Sequence, residues 1–144
     1  MPRNKITLLE RAKADLGTAK IMLEHLDSDD VYIDIAAHHC QQCAEKVAKF
    51  LILLQGDVYA NDHRTEEYLP DLKHEEAKGL IEQISIKIDR WATTIRYAHT
   101  LLASKKAVDE VIPVCERLVE IAEKAVPPQV EVSSRNGVTK LADR

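Results

Sequence analysis

The segment Arg96-Tyr97-Ala98-His99 places a permanent cation and a proton-transfer group close together in the chain. Cleavage of RNA without a metal ion needs both groups, one to move a proton and one to stabilise the charge on the phosphorane. Arg96 and His99 are therefore a candidate catalytic pair. The competing interpretation is structural, with Arg96 in a salt bridge between helices and His99 as an ordinary helix residue.

A second polar set recurs at spacings of three and four residues, so its members meet on one edge of a helix. The set consists of His38, Gln41, Gln42, Glu45 and Lys49. If this edge faces inward, Glu45 and Lys49 must pair, because an unpaired buried charge is costly. Such a cluster can hold a phosphate or a nucleotide. The alternatives are an exposed pair contributing about 0.3–0.5 kcal/mol or a contact between Glu45 and Arg96.

Four residues in the same region have the side chains of metal ligands: His38, His39, Cys40 and Cys43. A Cys-x-x-Cys spacing on a continuous helix does not wrap its two sulfurs around one ion. Cys40 and Cys43 also belong to an apolar stripe, so we expect core cysteines. No metal ion and no cofactor is predicted. The odd total of three cysteines is typical of reduced thiols in a cytosolic protein.

The helix that carries the polar edge is predicted over residues 31–55, which contain neither Gly nor Pro. Two of its sides are apolar at helical spacing, so it needs neighbours on both sides and becomes the central helix of a bundle. The members of the first apolar side are Ala36, Cys40, Cys43, Val47, Phe50, Leu51 and Leu54.

Segments on either side of the central helix carry their own start and stop signals. Thr7 and Glu10 form a capping box, which predicts that a first helix begins at Thr7 and ends near residue 25. Gly56 is placed to end the central helix in a left-handed conformation. The link that follows carries turn residues, and a short helix is predicted within it over residues 65–69.

Two further apolar stripes predict the remaining helices. The third helix has a clear stripe up to Trp91, and the neighbouring Thr93 and Thr94 are candidates for breaking or bending it. The stripe of the last helix contains Pro113. That helix therefore either begins near Asp109, with Pro113 in its first turn, or bends at Pro113.

Composition limits the classes of function. The chain has 144 residues and a formal net charge of −4, which argues against binding nucleic acid over its whole surface and leaves room for a local basic patch. No stretch approaches the roughly 20 apolar residues of a membrane helix, and the N-terminal segment is charged where a signal peptide is apolar. We therefore expect one cytoplasmic domain over residues 1–126. Residues 127–144 are expected to be a tail that is flexible or bound to a partner.

The run AAHHCQQCAEKVAKFLI resembles the second helix of the HEPN domain (higher eukaryotes and prokaryotes nucleotide-binding). That family typically shows small residues, then Gln-x-x-Glu-Lys-x-x-Lys, then a hydrophobic run. Gln42, Glu45, Lys46 and Lys49 fit this motif. Residues 11–20 resemble the first helix of the family, and Ile95-Arg-Tyr-Ala98 resembles the Arg-Tyr-Pro segment before its last helix. The resemblance spans roughly residues 7–126.

The resemblance implies an all-α antiparallel bundle of four or five helices that associates with nucleotide or RNA. It also implies a homodimer with its site in the cleft between subunits, and the wide apolar stripes of the second and last helices predict a dimer independently. Small HEPN proteins of this kind are commonly encoded beside a minimal nucleotidyltransferase, in toxin–antitoxin-like modules. The residues expected to bind nucleotide or phosphate are His38, Gln42, Glu45, Lys49, Arg96 and Tyr97.

Three functions follow from these observations. The first is a binding protein, the HEPN partner of a nucleotidyltransferase. The second is a metal-independent RNase that uses Arg96 and His99. Nuclease members of the family have four to six residues between Arg and His, whereas two separate Arg96 from His99 and eight separate Arg90 from His99. The third is a non-catalytic structural dimer. The irregular spacing favours the first function and leaves open whether the protein is an enzyme.

Overall fold

The computed structural model describes residues 3–26, 30–59, 62, 64–94 and 103–126. This part of the chain contains four α-helices and one 3-10 helix, and it contains no strand. The elements are α1 (Arg3–Leu26), α2 (Asp30–Leu54), the 3-10 helix (Thr65–Asp71), α3 (Glu75–Thr94) and α4 (Lys105–Ala125). The predicted all-α bundle is confirmed. None of the described helices is long and apolar enough to cross a membrane. The tail, residues 127–144, lies outside the described residues.

Ion pairs between helices fix the directions in which the helices run. On α1, Lys13 pairs with Glu123 and Lys20 pairs with Glu116, so α1 and α4 are antiparallel. The pairs Glu76–Arg117 and Lys87–Glu110 make α3 antiparallel to α4 in the same way. The bundle therefore alternates in direction along the chain, and α2 runs parallel to α4. Asp34 of α2 meets Ala103 at the start of α4, and Leu54 and Ala125 line one recess at the other end.

The second helix, α2, is the centre of the bundle and contacts α1, the 3-10 helix, α3 and α4. Every residue from 33 to 55 is buried or half-buried. Fully buried alanines allow the neighbouring helices to approach closely: Ala36, Ala37, Ala44 and Ala48. The apolar stripes of α2 and α4 are thus buried within one chain. The prediction that these stripes need a second subunit to cover them is therefore wrong, and the homodimer stays a prediction.

Two helix starts differ from the sequence-based prediction. The first helix, α1, begins at Arg3, so Thr7 lies inside it and does not cap it. The last helix, α4, begins at Lys105, where the side chain of Ser104 accepts a hydrogen bond from the backbone N–H of Ala107 (3.1 Å). A start near Asp109 is wrong, because the local cap lies further upstream. Pro113 is in the helix interior on an exposed face, where it removes one backbone hydrogen bond without entering the core.

The link between α2 and α3 has a fixed geometry where it leaves α2 and where its 3-10 helix begins. Gly56 has φ +90°, which confirms the predicted left-handed end of α2. The predicted short helix is present as the 3-10 helix. Asp89, a buried residue of α3, accepts hydrogen bonds from the backbone N–H and hydroxyl of Thr65 (2.7 and 2.9 Å) and from the N–H of Glu66 (3.1 Å). A side chain of α3 thereby caps the 3-10 helix.

We predict that Asp89→Ala lowers the free energy of unfolding by about 2–3 kcal/mol, because three donors lose a buried acceptor. Urea unfolding followed by circular dichroism measures the change. Glu82→Ala, on the exposed side of the same helix, is the control and should change stability by no more than about 0.5 kcal/mol. Equal losses in the two variants would contradict the role assigned to Asp89.

Candidate functional site

Four members of the polar edge of α2, Gln41, Gln42, Glu45 and Lys49, lie in one series of hydrogen bonds and ion pairs. Glu45 Oε1 accepts from Gln41 Nε2 (3.2 Å), and Gln41 Oε1 accepts from Gln42 Nε2 (2.8 Å). Gln42 Oε1 accepts from Lys46 Nζ (3.3 Å), and Lys46 also donates to Asp15 Oδ2 on α1 (2.5 Å). We name this set the polar chain, and its members are Asp15, Lys46, Gln42, Gln41, Glu45 and Lys49.

Glu45 and Lys49 form the end of the polar chain that faces the 3-10 helix. Lys49 Nζ lies 2.8 Å from Glu45 Oε2, and the two side chains are only 14% and 4% exposed, respectively. The prediction that an inward-facing edge requires this pair is confirmed. Burial lowers the pKa of Lys49, but the hydrogen bond and charge of Glu45 outweigh burial and leave that pKa raised above its ordinary value. Lys49 is therefore an ammonium ion at neutral pH.

Two tyrosines enclose the Lys49 ammonium. Its Nζ lies 5.2 Å from the ring centroid of Tyr59 and 6.0 Å from that of Tyr68, within the range of cation–π attraction. Tyr68 is fully buried, and its hydroxyl donates to the carbonyl oxygen of Asp62. Burial is the main cause that raises the pKa of Tyr68, so its phenol is neutral. The link between α2 and α3 thus closes over this end of the polar chain.

The other end of the polar chain holds an interaction that the sequence did not predict. His39 Nδ1 and Asp15 Oδ1 are 2.8 Å apart, and the second oxygen of Asp15 binds Lys46. The rings of His38 and His39 meet edge to face, with centroids 5.8 Å apart. A carboxylate that accepts from Nδ1–H fixes the imidazole orientation and leaves Nε2 as the proton acceptor. The available signal in the sequence was Asp15, an acidic residue beside Ala12 and Leu16, which are buried positions of α1.

The polar chain is electrically balanced. Asp15 and Glu45 supply two negative charges, and Lys46 and Lys49 supply two positive charges. Each lysine is already held by a carboxylate, so the set has no surplus charge with which to attract an anion. A phosphate bound beside it needs a further cation. The sequence offers Arg96 for this purpose, but Arg96, Tyr97 and His99 lie outside the described residues.

Ala103, the first described residue after residues 95–102, is hydrogen-bonded to α2. The backbone N–H of Ala103 donates to Asp34 Oδ1 at 3.0 Å, and Asp34 is buried. Asp34 lies one helical turn before His38, so both residues occupy the same side of α2. Ala103 is therefore held at the end of α2 where the polar edge begins. The predicted contact between Glu45 and Arg96 lies outside the described residues.

The three cysteines form part of the core. Cys40, Cys43 and Cys115 are all fully buried, and Cys115 Sγ donates to the carbonyl oxygen of Cys40 at 3.5 Å. Hydrogen bonds with Cys40 and Cys43, together with burial, raise the pKa of the Cys115 thiol well above its usual range. The prediction of core cysteines is confirmed. Over the described residues, no group of three or more His, Cys, Asp or Glu side chains is arranged to hold a metal ion.

Comparison with known families gives a match to the family model for the HEPN domain, over residues 7–125. The chain belongs to the HEPN domain family. Comparison with curated proteins gives no match, and neither does comparison with solved structures. The matched range agrees with residues 7–126, over which the sequence resembles the family. Membership in the family supports, in general terms, a function associated with nucleotide or RNA. The HEPN motif residues of α2, Gln42, Glu45, Lys46 and Lys49, are all members of the polar chain.

We predict that Glu45→Leu and Lys49→Met each lower the free energy of unfolding by about 3 kcal/mol, because each leaves a buried charge unpaired. The double variant should lose no more than about 1 kcal/mol, since it removes both charges and fills the space with apolar atoms. Urea unfolding of the unmodified chain, the two single variants and the double variant measures these values. Strictly additive losses would show that the pair is not coupled.

We predict that the three thiols react with 5,5′-dithiobis(2-nitrobenzoate) at least about 100-fold more slowly than free cysteine at mildly alkaline pH, because the reagent reaches them only during opening of the core. The raised pKa of Cys115 slows its reaction further by keeping the thiol protonated. The chain unfolded in guanidinium is the control and should release three equivalents at once. A thiol that reacts at the free rate in the folded chain would contradict the core assignment.

Proposed function

We propose that this HEPN protein binds nucleotide or RNA as the HEPN component of a nucleotidyltransferase/HEPN toxin–antitoxin-like module. The observation that carries the proposal is the polar chain, which ties the HEPN motif residues of α2 to α1 and to the link. The hydrogen bond between Asp34 and Ala103 holds Ala103, the first described residue after Arg96, against the same helix. Buried networks in which every member is satisfied hold their side chains rigidly, as a preformed binding site requires.

The residues of the proposed site divide into two roles. Glu45 is buried, Lys49 is half-buried, and the two are paired with each other, so their role is to position α2. His38 and Gln42 are half-buried members of the polar edge of α2, where they can border a ligand. Because the polar chain carries no surplus charge, we assign the phosphate contact to Arg96. Its guanidinium can bind two phosphate oxygens at once, with Tyr97 beside it.

A metal-independent RNase is the second candidate function. The observation that favours it is the 2.8 Å contact between His39 and Asp15, because an imidazole held through Nδ1 by a carboxylate is the arrangement of a general base. In this alternative Arg96 stabilises the phosphorane, and His99 or His39 moves the proton. The spacing of Arg96 and His99 departs from that of nuclease members, so the binding function is proposed first.

We predict that Arg96→Lys weakens binding of ATP or of a short single-stranded RNA about 5- to 150-fold, which corresponds to roughly 1–3 kcal/mol for hydrogen bonds to a charged group. The melting temperature should not change, because the charge and fold are kept. Fluorescence anisotropy and thermal unfolding on the same sample measure both quantities. Arg11→Lys, at an exposed arginine of α1, is the matched control and should leave binding unchanged.

Other outcomes of this experiment separate the alternatives. A lower melting temperature with unaltered affinity would assign Arg96 to a structural salt bridge and contradict the binding proposal. Loss of RNA cleavage in His99→Ala or His39→Ala, with binding retained, would establish the RNase. Absence of binding to either ligand in the unmodified chain would favour the non-catalytic structural dimer. A minimal nucleotidyltransferase gene beside this gene would support the proposed module. Its absence would count against the module but not against binding of nucleotide or RNA.

A further inference from the structure

A recess of about 130 Å³, which we name the α3–α4 recess, opens between the second half of α3 and the start of α4. The described residues that line it are Lys87, Arg90, Trp91, Ser104 and Ala107. Four of these five side chains carry a hydrogen-bond donor, and none of the five is a carboxylate. Lys87 and Arg90 lie three residues apart, so both cations are on one face of α3. The recess therefore presents positive charge and donors to a molecule that enters it.

Trp91 has a donor that the fold does not satisfy. The residue is only 4% exposed, and no described residue accepts a hydrogen bond from its indole N–H. Buried donors are normally paired, because an unpaired donor loses its hydrogen bonds to water without replacement. An indole is a donor only, so the group that satisfies it must be an acceptor. Because Trp91 lines the α3–α4 recess, an acceptor bound there meets this need.

The start of α4 adds positive charge beside the recess. A helix N-terminus is the positive end of the helix dipole, and the first turn of α4 holds Lys105 and Lys106 and no acidic residue. Asp109 pairs with Lys105 at 2.9 Å, and the charge of Lys106 remains. The oxygen of Ser104 accepts from the N–H of Ala107, so the hydroxyl proton is left for an acceptor in the recess.

The acids near the recess leave its donors able to bind an anion. Both oxygens of Asp89 accept from the start of the 3-10 helix. Glu110 lies 3.5 Å from Lys87 in an ion pair that is exposed at both ends, so solvent and salt screen it. Arg90 already has another interaction in the chain. A guanidinium carries five N–H donors, so Arg90 can keep that interaction and bind an anion as well.

We propose that the α3–α4 recess is a binding site for a phosphate group. A tetrahedral oxyanion offers acceptors in several directions, which suits the donors of Lys87, Arg90, Trp91 and Ser104. A single water needs roughly 10–15 Å³ by the same measure of volume, so the recess has room for one phosphate and a few waters.

The phosphate group can be inorganic or can belong to a nucleotide or an RNA strand, because the recess recognises only the oxyanion. The recess lies on α3 and α4, whereas the polar chain ties α2 to α1 and the link. The inference therefore does not depend on the proposed function.

Fluorescence of the full chain tests the site, because Trp91 is the single tryptophan of the sequence and lines the recess. Titration with inorganic phosphate at constant ionic strength should change the emission of Trp91 in a saturable way, whereas chloride should not. Lys87→Gln and Arg90→Gln should each weaken phosphate binding about tenfold, the scale of a lost hydrogen bond to a charged group.

Lys13→Gln is the matched control. Lys13 is also an exposed lysine paired with a glutamate of α4, but its partner Glu123 lies at the other end of that helix. This variant should bind phosphate as the unmodified chain does. Circular dichroism verifies that every variant keeps its helices.

Titrations with ATP and with a short single-stranded RNA identify the source of the phosphate group. If the RNA backbone occupies the recess, inorganic phosphate competes with RNA. Lys87→Gln then reduces the slope of log affinity against log salt concentration by about 0.7, the value for one phosphate contact of a single strand. If Lys87→Gln weakens binding of phosphate or ATP and leaves RNA affinity unchanged, the recess takes the free anion or a nucleotide.

Two results overturn the proposal. The first is a fluorescence response to phosphate that is no larger than the response to chloride. The second is a phosphate affinity that Lys87→Gln and Arg90→Gln leave as unchanged as Lys13→Gln does. An unmodified chain that binds inorganic phosphate through Lys87 and Arg90, but binds neither ATP nor RNA, would contradict the proposed function and support the phosphate site.

Discussion

Burial of charge in α2 is the constraint on which the arrangement of the other elements depends. The central helix of a small bundle is normally apolar, yet α2 places one carboxylate and two ammonium groups of these ion pairs in or beside the core. Each must find an opposite charge, since an unpaired buried ion costs several kcal/mol. Lys46 finds its partner on α1 at Asp15, and Lys49 finds Glu45 together with the rings of the link. The positions of α1 and of the link are therefore specified by charge as well as by packing.

Two further acids attach irregular backbone to the helices. Asp89 on α3 accepts the free donors at the start of the 3-10 helix, and Asp34 on α2 accepts the N–H of Ala103. Both carboxylates are buried, and both bind backbone that has no helical partner of its own. The links of this bundle are thus anchored by side chains of neighbouring helices.

The sequence predicted most of what depends on neighbours along the chain. Helical periodicity located all four helices, and the spacing of Glu45 and Lys49 predicted their pairing because both lie on one helix. The contacts of Asp15 with His39 and of Asp89 with Thr65 each join residues 24 positions apart, and no local pattern specifies them. The helix starts were missed for a related reason. Several residues near each start could cap it, and tertiary packing selects among them.

The alternating directions of the helices have a consequence for the way the molecule can be joined to others. The beginning of α1 and the end of α4 lie at the same end of the bundle, since Lys13 pairs with Glu123. Ala103 meets Asp34 at the opposite end, roughly 30 Å away along a helix of this length. A domain fused directly to the start of α1 or to the end of α4 therefore lies at the opposite end of the bundle from Ala103. The proximity of the two ends also makes the bundle suitable for circular permutation.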